Sequence, residues 1–139
     1  MPELPFKILG VEHVGIAVED LNDISDIFGD LLGLELRSRE KIDDQQVITD
    51  IYETGSGKLE FLKATDKNSP IAQFIEKNGS GMHHIALKVD NLTAALDYLK
   101  SQGTQLVDTS PRIGAEGFKI AFLHPKSTGG VLIELCEKK

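Results

Sequence analysis

Gly81-Met82-His83-His84-Ile85-Ala86-Leu87-Lys88-Val89-Asp90 matches an earlier stretch of the same chain, Gly10-Val11-Glu12-His13-Val14-Gly15-Ile16-Ala17-Val18-Glu19. The two align without a gap at an offset of 71, so that Gly10 falls on Gly81, His13 on His84, Val18 on Val89 and Leu21 on Leu92. Further on, Lys58-Leu59-Glu60-Phe61-Leu62 echoes Leu132-Ile133-Glu134-Leu135-Cys136 at an offset of 74. The chain therefore reads as one unit used twice, each copy carrying one histidine and one glutamate at like positions.

Outward from these stretches the pattern alternates between two periods. Residues 10–18 have period two, with Val14, Ile16 and Val18 on one face and His13, Gly15 and Ala17 on the other, which predicts a strand. Residues 20–32 switch to helical spacing: Leu21, Ile24, Ile27, Phe28, Leu31 and Leu32 make one apolar stripe, Asp20 or Asn22 caps it, and Gly33 ends it. Strands are expected at 34–42, 46–53 and 58–63, with a hairpin turn at Gly55-Ser56-Gly57. Ser69-Pro70 opens a connecting helix with Ile71, Phe74 and Ile75 on its apolar side, and Asn78-Gly79 closes it. The second copy repeats the plan: strand 82–89, helix 91–102, a short strand at 105–108, a loop over 111–117, strand 118–123, a turn at 124–130 and strand 131–136. The expected fold is α+β, a single domain over 1–139 built from two tandem β-α-β-β-β modules, about 8–65 and 81–137, joined by a linker at 66–80. Residues 1–7 read as a short arm.

Strand parity selects the candidate ligands. In each copy the bulky strand face packs on that copy's helix, and the opposite face is left concave. His13, Glu60, His84 and Glu134 all project from the concave side. His83 has the opposite parity to His84 and is read as structural, because a one-residue shift exchanges the faces of a strand. Two imidazoles and two carboxylates on inward surfaces suit a divalent metal held by N and O ligands, which also removes the cost of burying the carboxylates. A lone inward glutamate is ordinarily paired or solvated, and a lone histidine is ordinarily a hydrogen-bonded core residue. The matched repetition separates these four from that reading. His124 before Pro125 reads as a turn residue. Cys136 shares the face of Glu134 but ends a strand, and is not read as a nucleophile.

Composition excludes several function classes. The 139 residues, 40% hydrophobic and 27% charged, suit one globular domain with a real core. A net charge of −7 argues against a nucleic-acid groove. The single cysteine cannot form an internal disulfide, which fits a reducing compartment. The opening Met-Pro-Glu-Leu-Pro-Phe-Lys is neither a signal peptide nor an Arg-rich transit sequence. No apolar run approaches the roughly 20 residues of a membrane span. A cytoplasmic protein is expected, or a mitochondrial-matrix one if the chain is a mature eukaryotic form, with no nucleic-acid or membrane partner.

These modules with their His and Glu positions resemble the vicinal-oxygen-chelate superfamily, and within it most nearly the methylmalonyl-CoA epimerases. The resemblance covers roughly residues 8–136. It is carried by Ser69-Pro70-Ile71-Ala72-Gln73-Phe74-Ile75 with Lys77-Asn78, by Gly81-Met82-His83-His84-Ile85, by Ile113-Gly114-Ala115, by Phe122-Leu123-His124-Pro125-Lys126, and by Gly129-Gly130-Val131-Leu132-Ile133-Glu134-Leu135. The opening His13-Val14-Gly15-Ile16-Ala17-Val18 is common across the superfamily. The resemblance implies metal ligation by His13, Glu60, His84 and Glu134, commonly of cobalt, with zinc, manganese, nickel or magnesium as substitutes. It also implies a homodimer, and proton transfer at C2 of methylmalonyl-CoA through an enolate. Glu134 is then the first candidate acid/base. Some members place a second one on the third strand, where this chain has Thr49, with Asp50 and Gln46 near it. Glu60 is the best remaining carboxylate. Lys63, Lys88, Arg112, Lys119 and Lys126 are available for the CoA phosphates. Two alternatives stay open: a lyase of the glyoxalase I type, and a non-catalytic binding protein of the bleomycin-resistance type.

Overall fold

The computed structural model describes residues 3–138, so that residues 1 and 2 of the expected arm, and residue 139, lie outside it. The chain divides into two compact units, one made of His13–His83 and the other of Met1–Glu12 with His84–Lys139.

The His13–His83 unit takes β1 (Ile8–Ala17) from His13 onward, then α1 (Leu21–Ile24), a π-helical segment (Ser25–Leu31), β2 (Glu35–Ile42), β3 (Val47–Glu53), β4 (Lys58–Ala64) and α2 (Pro70–Asn78). Its strand order is β2-β3-β4-β1, with β1 parallel to β4 and the other pairs antiparallel. One face carries Ile16, Val18, Ile48, Tyr52, Leu59 and Phe61 against Leu21, Ile24 and Phe28. The rings there pack closely, Phe28 tilted at 4.8 Å from Phe61 and Tyr52 edge-on to Phe61 at 5.6 Å. The opposite face was expected to be open. It is open only in part, because Ile71, Phe74 and Ile75 of α2 cover Ala17, Val47 and Leu62 at one end. Ser69 starts that helix as expected, its hydroxyl accepting the Ile71 N–H at 3.1 Å.

The helix expected over 20–32 differs from its prediction. Asp20 is the cap, accepting the Asn22 N–H at 2.8 Å. After one α-helical turn the chain widens to i→i+5 pairing, with Leu32 N–H donating to Ile27 C=O at 2.9 Å. A wider turn rotates later residues off the apolar stripe, and Leu31 ends up 76% exposed.

On the helix-packed face, Asp50 is fully buried on β3, and Arg39 of β2 meets it with two bonds, Nε–Oδ1 at 2.6 Å and Nη2–Oδ2 at 2.8 Å. This carboxylate is structural, as its parity predicts. Arg39→Met is expected to lower unfolding stability by about 2–3 kcal/mol, since it strands a buried charge. That is less than the ~3–5 kcal/mol of a fully buried pair, because the Arg39 side chain reaches solvent. An unchanged urea midpoint would show that water satisfies Asp50 without the guanidinium.

The other unit takes β5 (Gly81–Val89) from His84 onward, α3 (Leu92–Ser101), β6 (Arg112–Ile113), β7 (Lys119–Leu123) and β8 (Ile133–Glu137). Its order, β5-β8-β7-β6, repeats the first plan, with β5 parallel to β8. Val89, Leu92, Ala95, Leu96, Ala121, Leu123 and Leu135 form its helix-side core. Asn91 caps α3 by accepting the Ala94 N–H at 3.0 Å.

The strand expected at 105–108 is not formed. Leu106 makes a single bridge to Leu123, and the edge of β7 is taken by Arg112–Ile113, which were expected in a loop. The reason is a side-chain bond across the sheet: the Asp108 carboxylate accepts the Phe122 N–H at 2.8 Å, so a side chain occupies a bond that a ladder would need. The last strand begins two residues later than expected. Gly129 and Gly130 both have positive φ, 74° and 91°, and the Gly130 N–H donates to the Pro125 C=O at 2.8 Å, so both glycines belong to the preceding turn. Among the described residues, no helix is long and apolar enough to cross a membrane.

Candidate functional site

Each unit buries one histidine beside one glutamate. In the His13–His83 unit, His13 Nδ1 lies 3.0 Å from Glu60 Oε2, with both side chains almost fully buried. In the other, His84 Nε2 lies 3.4 Å from Glu134 Oε1, again both buried.

The ladders explain why the pairs form. Glu60 is level with Gly15 on parallel β1, and Glu134 is level with Ala86 on parallel β5. The neighbour with little or no side chain leaves room above the sheet. The histidine two residues before it leans diagonally into that room. Leu59 and Phe61, the sequence neighbours of Glu60, turn to the helix side and anchor the strand. The same holds for Ile133 and Leu135 around Glu134. His84 is further fixed edge-on to Phe122, at 5.4 Å, and Phe122 sits directly opposite Glu134 across the β7–β8 ladder.

His83 alternates with His84 along β5. Its ring packs edge-on to Phe74 of α2 at 5.0 Å, and burial pushes its imidazole below the ordinary histidine range. Cys136 is buried with Ala86, Ile120 and Phe122, packed as a small apolar residue. His124 accepts the Lys126 N–H at 3.1 Å, which fixes the turn it was expected to occupy.

Three charged residues were not singled out from the sequence. Lys58 is buried and level with His13, on the same face as Glu60. Its shared parity with Glu60 was the available signal. Glu12 is buried, with Lys138 Nζ 4.0 Å from its Oε2. A glutamate on the helix-side parity of an apolar strand was the signal there. Glu40, half-buried on β2, lies directly opposite Thr49. Thr49 is fully buried and its hydroxyl has no hydrogen-bond partner. Among the candidate cations, Lys63, Lys119 and Lys126 are exposed, while Lys88 and Arg112 are half-buried.

Imidazole nitrogen and carboxylate oxygen are the donors that borderline divalent cations take, and buried carboxylates gain most from such a charge. The donor chemistry of both pairs therefore fits a metal.

Comparison with known proteins agrees with the repeated plan. Residues 12–122 match the model of the Glyoxalase/Bleomycin resistance protein/Dioxygenase superfamily. The chain is 42% identical to the uncharacterized protein YqjC of Bacillus subtilis, over 93% of this chain and 92% of that one. It is 37% identical to the mitochondrial methylmalonyl-CoA epimerase of Mus musculus, over 94% of this chain and 74% of that one. A variant of Streptomyces coelicolor methylmalonyl-CoA epimerase solved with 2-nitronate-propionyl-CoA superposes with a TM-score of 0.88 at 30% identity, covering 95% of this chain and 99% of that one. The chain belongs to the glyoxalase/bleomycin resistance/dioxygenase superfamily and has its vicinal-oxygen-chelate fold. Within that superfamily it belongs to the family of the methylmalonyl-CoA epimerases.

Proposed function

We propose that this protein is a metal-dependent epimerase that interconverts the epimers of methylmalonyl-CoA by proton transfer at C2. The observation that carries the reading is the buried His–Glu pair built twice, at like ladder positions, in a member of the epimerase family. His13, Glu60, His84 and Glu134 are the residues that would hold a divalent ion, with cobalt first and zinc, manganese, nickel or magnesium as substitutes. When bound, the ion supplies the positive charge that lowers the cost of an enolate at the thioester carbonyl.

The chain's own groups move the proton. C2 lies between a thioester and a carboxylate. Glu134 takes its proton from one face, and a carboxylic acid on the other face returns one, so the reaction balances without any co-reactant. Thr49 stands where some relatives have a second acid/base, and a hydroxyl is too weak a base for that role near neutral pH. Glu60 is the carboxylate assigned to it.

Metal analysis tests the reading directly. One ion per chain is expected, rather than one for each His–Glu pair. Chelation removes epimer interconversion, and re-addition of a divalent ion restores it. Two ions per chain would mean two separate sites. Isomerisation of a glutathione hemithioacetal without exchange of the methylmalonyl-CoA C2 proton would assign the fold to the glyoxalase I reaction instead.

A further inference from the structure

We infer that Arg112 binds the free carboxylate of the acyl-CoA substrate and so selects malonyl-type thioesters over simple acyl ones; this rests on the epimerase reading above. Arg112 was one of five cations that charge alone left equivalent. The fold sets it over Phe122, whereas Lys88, also half-buried, stands level with Cys136 at the far end of β5.

Its position comes from the ladder. Arg112 is directly opposite Ile120, and Ile120 shares a packed face with Ala86, Phe122 and Cys136. Phe122 is in turn directly opposite Glu134. The guanidinium carbon lies 5.6 Å from the centre of the Phe122 ring, and the same ring meets His84 edge-on at 5.4 Å. Phe122 therefore forms an apolar floor with a cation at one end and the His84–Glu134 pair at the other.

The guanidinium is held but not saturated. Asp108 Oδ1 lies 3.3 Å from its Nε, yet that buried nitrogen makes no hydrogen bond in line with an acceptor. The other Asp108 oxygen is committed to the Phe122 N–H. Asp108 thus engages the Nε side of the planar group, and the fork of Nη donors is the part assigned to a ligand. A half-exposed guanidinium held against an aromatic ring favours a carboxylate, which matches its fork with two parallel bonds. Gly114 keeps this edge close, because a Cβ there would come within 2.8 Å of the Ile120 side chain. Lys63, Lys119 and Lys126 are exposed, as suits phosphate partners.

Arg112→Met and Arg112→Lys, compared with wild type, test the assignment. The measurements are kcat and KM for methylmalonyl-CoA, and inhibition constants for propionyl-CoA and free CoA. Arg112→Met is expected to raise KM roughly 10–100-fold, the ratio that a hydrogen bond to a charged group commands. Both inhibition constants stay unchanged, because neither inhibitor carries the carboxylate. Arg112→Lys recovers part of the loss, keeping charge without the fork. If both inhibition constants rise with KM, Arg112 serves the CoA phosphates and the assignment fails. An unchanged KM overturns it too. A wild type with no activity sinks the epimerase reading along with this one. If Arg112→Met fails to fold because Asp108 is left unpaired, the double variant with Asp108→Asn removes both charges, and its KM and inhibition constants are read the same way.

Discussion

Glu134→Gln lowers the rate of epimer interconversion by about 10²–10⁴-fold, the usual consequence of losing a positioned acid/base. The substitution nearly preserves shape. Glu134 is buried level with Ala86 and opposite Phe122, where an amide of the same length fits the same space. What is lost is basicity, since an amide cannot take a proton from C2 near neutral pH. The variant also loses a negative ligand, so the assay belongs at saturating divalent metal, with bound metal measured alongside. Loss of rate with the metal retained assigns the proton transfer to Glu134. Wild-type kcat in Glu134→Gln with full metal would remove it from the chemistry. Solvent-deuterium exchange adds a second readout: with two acid/bases, Glu134→Gln and Glu60→Gln each keep exchange from one epimer while losing interconversion. If Glu60→Gln keeps full epimerisation and full metal, another group fills that role, and Glu40, opposite Thr49, is the next carboxylate to replace.

The second large effect separates the adjacent histidines. His84→Ala is expected to weaken metal binding by more than the ~10–100-fold typical of losing a hydrogen-bonding neighbour of a ligand. His83→Ala is expected to leave metal content unchanged. The physical reason is which side of β5 each ring occupies. His84 points to Glu134 and Phe122, and His83 to Phe74. Deleting the His83 ring costs packing against α2, which lowers the unfolding midpoint without touching the donors. Metal per chain after desalting, for each variant, decides the matter. Loss of metal in His83→Ala with retention in His84→Ala would reverse the ligand assignment.

Much of this was legible in the chain itself. Period-two alternation placed His13, Glu60, His84 and Glu134 on the faces where they lie, because the pleat fixes side-chain direction residue by residue. The offsets between the two copies exposed the repeated β-α-β-β-β plan for the same reason, as each copy must bury its own helix on its own strands. Ser69-Pro70 and Asn91 marked helix starts, since capping is satisfied within a few residues.

Tertiary structure alone decided the rest. The short edge strand moved from 105–108 to Arg112–Ile113 because Asp108 bonds a backbone group fourteen residues away, which no local propensity encodes. Helix α2 covers one end of the sheet face that carries Glu60, because Ile71 found partners in Ala17, Val47 and Leu62 from three different strands. The burial of Lys58 and Glu12 follows from neighbours distant in sequence. So does the singling-out of Arg112, one of five equal cations until the ladder set it over Phe122. Alternation reports which way a side chain points, and that is a property of one strand. What it meets there depends on which strands become neighbours, and that is a property of the whole unit.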